Sequence, residues 1–131
     1  AIPLFERAAA QGHALAYSQL ASCYESGNGV KIDYKTSAMW YRRAADQGYP
    51  LAQYHLGVLF DHGKGVAQSY NEAAKWYGLA AAQGFAEAFY NIGVCYANGH
   101  GVPRDGDEAL RLYVRAAAKG SAEAAAAVRD F

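Results

Sequence analysis

The chain repeats itself every 36 residues, and this period constrains the fold more than any other feature. Four similar segments (AAAQG, AADQG, AAAQG and AAAKG) end at glycines 36 residues apart, namely Gly12, Gly48, Gly84 and Gly120. A second marker has the same interval, with GNGV at 27–30, GKGV at 63–66 and GHGV at 99–102. A repeat of this length predicts a stack of similar units, because one unit cannot bury its apolar face alone.

Each unit is predicted to contain two helices. The first helix of each unit is expected at about 14–26, 50–62 and 86–98. Its buried stripe is a leucine or isoleucine, then a small residue, with an aromatic residue four positions after the first. These residues are Leu20, Ala21 and Tyr24; Leu56, Gly57 and Phe60; and Ile92, Gly93 and Tyr96.

The second helix of each unit is predicted to begin after a capping residue and to end at the repeated glycine. The capping residues are Asp33, Ser69 and Asp105. In SYNE and DGDE a glutamate follows three positions later, which predicts two capping boxes. A glycine just beyond a helix is typical of the left-handed conformation that closes its last turn. The inner face is expected to carry Trp40 and Tyr41, Trp76 and Tyr77, and Leu112 and Tyr113.

These patterns predict an all-α fold, an α/α right-handed superhelical solenoid of about eight helices that forms one domain. The expected divisions are 1–12 as the second helix of a partial unit, full units at 13–48, 49–84 and 85–120, and a terminal capping helix at 121–131. Leu4 and Phe5 align with Trp40 and Tyr41, so the chain is expected to be part of a longer array. Arg129 stands where Ala21, Gly57 and Gly93 stand, and we expect it to obstruct a further helix and to end the array near Phe131.

Charge and composition narrow the classes of partner. Twelve basic and twelve acidic residues give a net charge of zero, so no global field favours nucleic acid. No segment approaches the roughly 20 apolar residues of a membrane-spanning helix, so direct membrane insertion is not expected. Cys23 and Cys95 occupy the same position two units apart, too far for a disulfide, and are expected to be buried. The compartment stays open.

The sequence predicts no catalytic residue, no metal site and no cofactor. Gly63 and Gly65 precede a helix, as in phosphate-binding loops, but neither GxGxxG after a strand nor GxxxxGK followed by Ser or Thr is present. Sister glycines (Gly27, Gly29, Gly99 and Gly101) make a structural turn the better interpretation. His55 and His62 are two helical turns apart, about 10 Å, which is too far for one zinc ion without bending. No GxSxG, SxxK or HExxH motif occurs.

The residues quoted above resemble the Sel1-like repeat family, a relative of the tetratricopeptide repeats. The segment AQYHLGVLFDHGKGVAQSYNEAAKWYGLAAAQG follows the family pattern almost throughout, and the GxGV turn is its mark. Three departures are Gly106 in place of tyrosine, Leu112 in place of tryptophan, and Gly78 inside a helix. The resemblance implies a scaffold that binds proteins or peptides. It also implies that the first helices line the concave face, while the one-disulfide-per-repeat pattern of some members is absent here.

A helical wheel places one arc of each first helix opposite the buried stripe, and we expect this arc to bind the partner. The predicted binding residues are Gln19, Ser22, Tyr54, His55, Val58, His62, Tyr90, Asn91, Val94 and Asn98. Amides in register (Gln19 and Asn91, with His55 between them) can pair with the backbone of an extended peptide, and Tyr54 and Tyr90 offer anchoring area. The alternative is that both tyrosines pack between adjacent first helices and that the polar groups are only solvated.

Three hypotheses for function remain open from the sequence. The leading one is a non-catalytic module whose concave face binds a protein or peptide of unknown identity. The second is a structural spacer in a longer repeat protein. The third, which the motifs favour least, is a hydrolase whose groove is centred on His55 and His62.

Overall fold

The computed structural model describes residues 13–130, and these residues form seven helices in series with no strand among them. We number the helices in chain order: α1 Ala14–Ser26, α2 Tyr34–Asp46, α3 Pro50–His62, α4 Tyr70–Ala82, α5 Ala86–Asn98, α6 Gly106–Ala118 and α7 Ala122–Asp130. The predicted bounds of all three first helices (α1, α3 and α5) are confirmed. The helix predicted at 1–12 lies outside the described residues.

Helices pack in pairs, and each pair packs on the next. The pairs are α1 with α2, α3 with α4, and α5 with α6, and α7 packs on α6. α2 and α4 also contact the first helix of the following unit. The fold is therefore the predicted α/α solenoid, with second helices (α2, α4 and α6) alternating with first helices.

Helix ends follow the sequence signals. Gly27, Gly63 and Gly99 end the first helices in the left-handed conformation, and Gly48, Gly84 and Gly120, just beyond the second helices, also have positive φ. At the start of the second helices, the side chains of Asp33, Ser69 and Asp105 each accept a hydrogen bond from the backbone N–H three residues later. The predicted caps are confirmed.

The two predicted capping boxes form only in half. The backbone N–H of Ser69 donates to the carbonyl of Phe60 at 2.9 Å, and that of Asp105 donates to Tyr96 at 2.9 Å. The amide that a capping-box glutamate would satisfy is thus already bonded to the preceding first helix. Glu108 instead forms an ion pair with Arg111 at 2.7 Å. The cap therefore also ties the two helices of one unit together.

The core lies between helices, where small residues accept large rings. Tyr41 and Tyr77 are 1% exposed, and the predicted leucine and alanine positions are buried around them. A Cβ atom at Gly57 would lie 2.8 Å from two ring carbons of Tyr77, so this glycine lets the ring approach the backbone of α3. Tyr24, Phe60 and Tyr96 are only half-buried, so the predicted stripe is narrower at its aromatic position.

The GxGV turn crosses the preceding unit at close range. Gly65 has φ of 76°, and a Cβ atom there would lie 2.2 Å from the carbonyl oxygen of Tyr34. Lys64 is exposed, and its Nζ lies 5.3 Å from the centroid of the Tyr34 ring. In the next turn, His100 stacks on Tyr70 at 4.0 Å, so the residue between the glycines contacts the previous unit.

Two further predictions concern cysteine and membrane insertion. Cys23 and Cys95 are both free thiols and both buried, as predicted. Within residues 13–130, no helix has the length and apolar character needed to cross a membrane.

Candidate functional site

We call the side of the solenoid formed by α1, α3 and α5, away from the core, the first-helix face. The structure places the predicted binding residues on it at two depths. Exposed are Gln19, Ser22, His62 and Asn98, and half-buried are Tyr54, His55, Val58, Tyr90, Asn91 and Val94. Half-buried side chains form its floor, so contacts within the protein already define the shape of this face.

His55 belongs to this floor. Its ring stacks on Tyr41 with centroids 5.1 Å apart and an interplanar angle of 18°, and it meets Tyr54 edge-on at 5.4 Å. Burial lowers the pKa of His55 below the ordinary 6.5, and nearby Glu25 and Glu87 only partly oppose this. His62 is exposed. The two imidazoles therefore have different surroundings, and in the described part of the chain no three His, Cys, Asp or Glu side chains gather as a metal site would require.

Tyr54 and Tyr90 pack sideways against other rings while lining open space. The ring centroid of Tyr54 lies 5.4 Å from that of Phe85 and 6.0 Å from that of Tyr77. The ring centroids of Tyr90 and Tyr113 are 5.6 Å apart. Both tyrosines remain half-buried rather than buried. Each ring therefore has one part packed within the protein and another part facing a cavity.

Two polar residues at the ends of the first helices bond to their own helix. The Oγ of Ser26 donates to the carbonyl of Ser22 at 2.9 Å, and Nδ2 of Asn98 donates to the carbonyl of Val94 at 3.1 Å. These two side chains therefore already have a hydrogen-bond partner within the protein. Burial raises the pKa values of the phenols of Tyr54 and Tyr77. The amide of Asn91, in the middle of α5, lies beside both phenols and partly opposes this rise in pKa by hydrogen bonding.

A repeated tyrosine–carboxylate pair underlies the face, and the sequence analysis missed it. The hydroxyl of Tyr41 donates to Oε1 of Glu25 at 2.9 Å, and that of Tyr77 donates to Oδ2 of Asp61 at 3.1 Å. Both pairs join a second helix to the first helix of the same unit. The signal was available, because each carboxylate precedes its tyrosine by 16 residues in two successive units. In the third unit Ala97 stands at the carboxylate position.

Two cavities open on the first-helix face, on either side of Asn91. One has a volume of about 230 Å³ and is lined by Asp61, Tyr90, Asn91, Val94, Cys95 and His100. The other has a volume of about 290 Å³ and is lined by Tyr54, Glu87, Tyr90, Asn91, Ser121 and Glu123. We call them the Asp61 cavity and the Glu123 cavity. They share Tyr90 and Asn91, so they adjoin, and each combines an aromatic wall with a carboxylate.

The thiol in the wall of the Asp61 cavity is poorly suited to nucleophilic chemistry. Cys95 in its wall is 4% exposed, and burial raises the pKa of its thiol to about 11. A thiol with so high a pKa is a poor nucleophile at neutral pH. The carboxylate of Asp61 is half-buried and held from behind by Tyr77.

The side formed by the second helices has grooves of its own. The larger, about 410 Å³, lies around Gly78 and includes Leu79, Ile92, Tyr96 and Val102. The equivalent groove one unit earlier measures about 250 Å³, with Arg42 at the place of Gly78. Arg42 lies over the ring of Trp76 at 5.4 Å. The helical glycine that the sequence marked as a departure therefore lies where the larger groove opens.

Helix pairs repeated every 36 residues, closed by glycine turns that cross the preceding unit, define the chain as an α/α-solenoid repeat protein. A family model described as Sel1 repeat matches residues 1–13, 14–49, 50–85 and 86–121. The chain belongs to the Sel1 repeat family, whose members are typically protein-interaction scaffolds. Comparison with curated protein sequences gave no match.

Three solved structures are similar to this chain. A Sel1 repeat protein from Oxalobacter formigenes is 36% identical, with a TM-score of 0.93 over 98% of this chain and 53% of that one. A protective antigen with an SLR fold, present in uropathogenic Escherichia coli strains, is also 36% identical, with a TM-score of 0.91 over 95% of this chain and 27% of that one. This chain thus spans about a quarter to a half of those relatives.

The third structure is the cysteine-rich protein B of Helicobacter pylori. It is 18% identical, with a TM-score of 0.74 over 93% of this chain and 92% of that one. At this identity it supports the fold alone. The two cysteines of the present chain, Cys23 and Cys95, form no disulfide.

Proposed function

We propose that this chain is a non-catalytic module that binds a protein or peptide on the first-helix face, which is the concave face expected for such a stack. The observation that carries the proposal is the pair of adjoining cavities on either side of Asn91. Their volumes of about 230 and 290 Å³ together fall within the roughly 300–1,000 Å³ of ligand-binding clefts, which is room enough for side chains of a partner. Family membership supports the same class of function.

The surroundings of the face favour binding over chemistry. The imidazole of His55 stacks on Tyr41 and meets Tyr54 edge-on, and the thiol of Cys95 is buried. A general base or nucleophile has to reach the reacting atom. We therefore assign the face no catalytic role. A net charge of zero provides no overall electrostatic attraction for the phosphates of a nucleic acid. We therefore assign no nucleic-acid partner.

A structural spacer remains the second candidate, because one contact stiffens the stack. Nε2 of Gln83, just after α4, donates to the carbonyl of Gly48 at 2.8 Å and to Oε1 of Gln53 at 2.9 Å. Gln53 is 5% exposed and itself donates to the carbonyl of Ala45 at 3.3 Å. This bridge joins two consecutive units. A rigid stack serves both functions, since a preformed groove loses less entropy on binding.

Site-specific photo-cross-linking distinguishes the two candidates and also identifies the face used. A benzophenone amino acid is placed at exposed positions of the first-helix face (Ser22, His62 or Asn98), where it disturbs no packing. Matched variants carry it at Met39 or Leu79, which are exposed on the second helices and line the opposite grooves. The variants are irradiated in a lysate of the source cells, and adducts are identified by mass spectrometry.

Binding at the first-helix face predicts the same partner from at least two of its three positions and from neither second-helix position. Adducts confined to Met39 or Leu79 would move the site to the opposite grooves. An absence of any specific adduct from all five variants would favour the spacer.

A further inference from the structure

We infer that the segment bound on the first-helix face carries two cationic side chains, lysine or arginine, one in the Asp61 cavity and one in the Glu123 cavity. This inference rests on the proposed function and adds the chemistry of the partner. Three observations carry it: the distribution of charge between the faces, the composition of the two cavities, and the way in which Asp61 is held.

Charge is divided unequally between the two kinds of helix, although the chain as a whole is neutral. Helices α1, α3 and α5 contain no lysine or arginine and carry Glu25, Asp61 and Glu87. Helices α2, α4 and α6 carry the cations Lys35, Arg42, Arg43, Lys75, Arg111 and Arg115. The ion pairs in the described residues, Arg42 with Asp46 and Arg111 with Glu108, both lie on second helices. The carboxylates of the first-helix face therefore lack an ion-pair partner within the described chain.

The Glu123 cavity gathers two carboxylates around one space. Glu87 and Glu123 occupy the same position in consecutive units, and both line the cavity with the rings of Tyr54 and Tyr90. Two like charges in one cavity repel each other, and a cation between them converts this repulsion into attraction. Lys119 lines a neighbouring cavity together with the same two glutamates, and its Nζ lies 5.7 Å from the ring of Phe89. Among residues 13–130, no carboxylate forms an ion pair with Lys119 within 4.0 Å.

The Asp61 cavity holds a carboxylate already oriented for an incoming donor. Tyr77 donates to Oδ2 of Asp61, which leaves Oδ1 to accept from a ligand. The Tyr90 ring forms part of the wall of this cavity. The face of an aromatic ring is electron-rich and attracts cations. A carboxylate beside an aromatic ring is the combination that binds a guanidinium or ammonium group. In the preceding unit Lys64 stands at the sequence position of His100, so the Asp61 cavity is lined by an imidazole where the preceding unit has a lysine.

The same observations disfavour the other classes of segment. An acidic segment or a free carboxyl terminus binds best where lysine or arginine side chains can pair with it. The first helices contain neither residue. An apolar segment would bury Asp61 and Glu87 without compensation, which is costly for charged groups. Because the two cavities share Tyr90 and Asn91, the two cationic residues of the partner have to be close in sequence. The Asn91 amide, between the cavities, is placed to pair with the peptide backbone that joins them.

Fluorescence anisotropy with three matched sets of twelve-residue peptides tests this inference. All sets share one Gly/Ser/Ala background and carry two arginines, two glutamines or two glutamates, separated by one, two or three residues. The protein variants are Asp61→Asn/Glu87→Gln/Glu123→Gln and a control of equal charge change on the second helices, Asp46→Asn/Glu72→Gln/Asp107→Asn. Circular dichroism verifies that both variants fold.

At least one two-arginine peptide is expected to bind tenfold or more tightly than its glutamine and glutamate counterparts. The first-helix variant is expected to lose at least tenfold in affinity, and the second-helix control less than threefold. Equal affinity for the glutamine peptides, equal losses in both variants, or no measurable binding of any arginine peptide would overturn the inference. The proposed function would survive each of these results as long as cross-links map to the first-helix face, so the two failures are distinguishable.

Discussion

The hydroxyl of Tyr77 donates to Oδ2 of Asp61 across 3.1 Å, and the ring that carries it is 1% exposed. One side chain thus fills the core of its unit and orients a carboxylate on the surface. The pair formed by Tyr41 and Glu25 repeats this arrangement one unit earlier at 2.9 Å. In this chain the packing between two helices of a unit and the charge of the first-helix face are therefore linked.

Tyr77→Phe is expected to lower the free energy of unfolding by about 1–2 kcal/mol. It removes a partly buried hydrogen bond to a charged acceptor while keeping the ring, and such bonds contribute about 1.5–3 kcal/mol when they are buried. Burial raises the pKa of Tyr77 far above its ordinary value of 10.0, so the hydroxyl stays protonated at neutral pH. Urea unfolding measures the change. Tyr70→Phe, at a ring 41% exposed and stacked on His100, is the control and should shift stability by less than about 0.5 kcal/mol.

Gly78→Ala is expected to stabilise the protein by up to about 1 kcal/mol. An added Cβ atom meets nothing within 4 Å, and alanine is favoured over glycine inside a helix by about that amount. Thermal unfolding, measured by circular dichroism, would give the shift. A decrease in melting temperature would show that the groove around Gly78 has contacts that the structure does not contain.

Gly57→Ala, the same substitution in α3, is expected to destabilise by up to about 2 kcal/mol. Its Cβ atom would lie 2.8 Å from Cδ1 and Cε1 of Tyr77. Overpacking of this kind costs about 1–3 kcal/mol and outweighs the gain of about 1 kcal/mol in helix propensity. The first unit has alanine, Ala21, at the equivalent position. The loss of stability therefore measures the cost of moving the Tyr77 ring away from the added Cβ atom. Equal effects of the two glycine substitutions would contradict the packing described for Tyr77.

Gln83→Ala is expected to cost about 1–3 kcal/mol, because it removes the bridge between consecutive units. The buried Oε1 of Gln53 and the carbonyl of Gly48 both lose their donor, and an unsatisfied buried polar group costs about 1–3 kcal/mol. Lys119→Ala tests the same position one unit later, where the exposed side chain lines a cavity and its Nζ lies 5.7 Å from the ring of Phe89. Lys119→Ala is expected to lower the free energy of unfolding in urea by less than about 1 kcal/mol. Equal losses in the two variants would contradict a stabilising bridge at Gln83.

His55 makes stability depend on pH in a defined direction. Because burial lowers its folded-state pKa below 6.5, the unfolded chain binds more protons in the interval just below that value. The stability contributed by the neutral, stacked imidazole is therefore complete above about pH 6.5 and is lost as the pH falls through the folded-state pKa. The loss does not exceed about 1.4 kcal/mol per pH unit.

His55→Gln should therefore reduce the difference in unfolding free energy between pH 7.5 and pH 5.5, whatever its effect at either pH alone. His62→Gln, at an exposed imidazole, is the matched control and should leave the difference as in the parent chain. Equal pH dependence in His55→Gln and the parent would contradict the assignment of this effect to the buried imidazole of His55.

The sequence predicted those parts of the fold that local chemistry determines. Helix ends depend on a cap such as Asp33 and a left-handed glycine such as Gly63, and both signals act within a few residues. The 36-residue period then places every copy of a helix, which is why the bounds of the first helices were correct. The number of helices also followed, apart from the segment outside the described residues.

The parts of the candidate site that were missed depend on the relative placement of helices. That Tyr77 reaches Asp61, or that Gln83 reaches Gly48 in the preceding unit, follows from how two helices cross, and a helical wheel holds no such information. The sequence patterns assigned Asp61 neither a partner nor a role. Comparison of the repeats would have indicated the pair, since a carboxylate precedes the buried tyrosine by 16 residues in two units and alanine replaces it in the third.

The central claim is that a partner binds on the first-helix face, and the backbone amide spectrum of this 14.1 kDa chain tests it most directly. A ¹⁵N-labelled sample is titrated with the partner segment recovered by cross-linking. The account predicts that the largest shifts cluster at Tyr90, Asn91 and Val94, together with the side-chain amide of Asn91. Shifts that cluster instead at Leu79, Gly101 and Val102, with Asn91 unchanged, would place the partner in the groove around Gly78 and contradict the account.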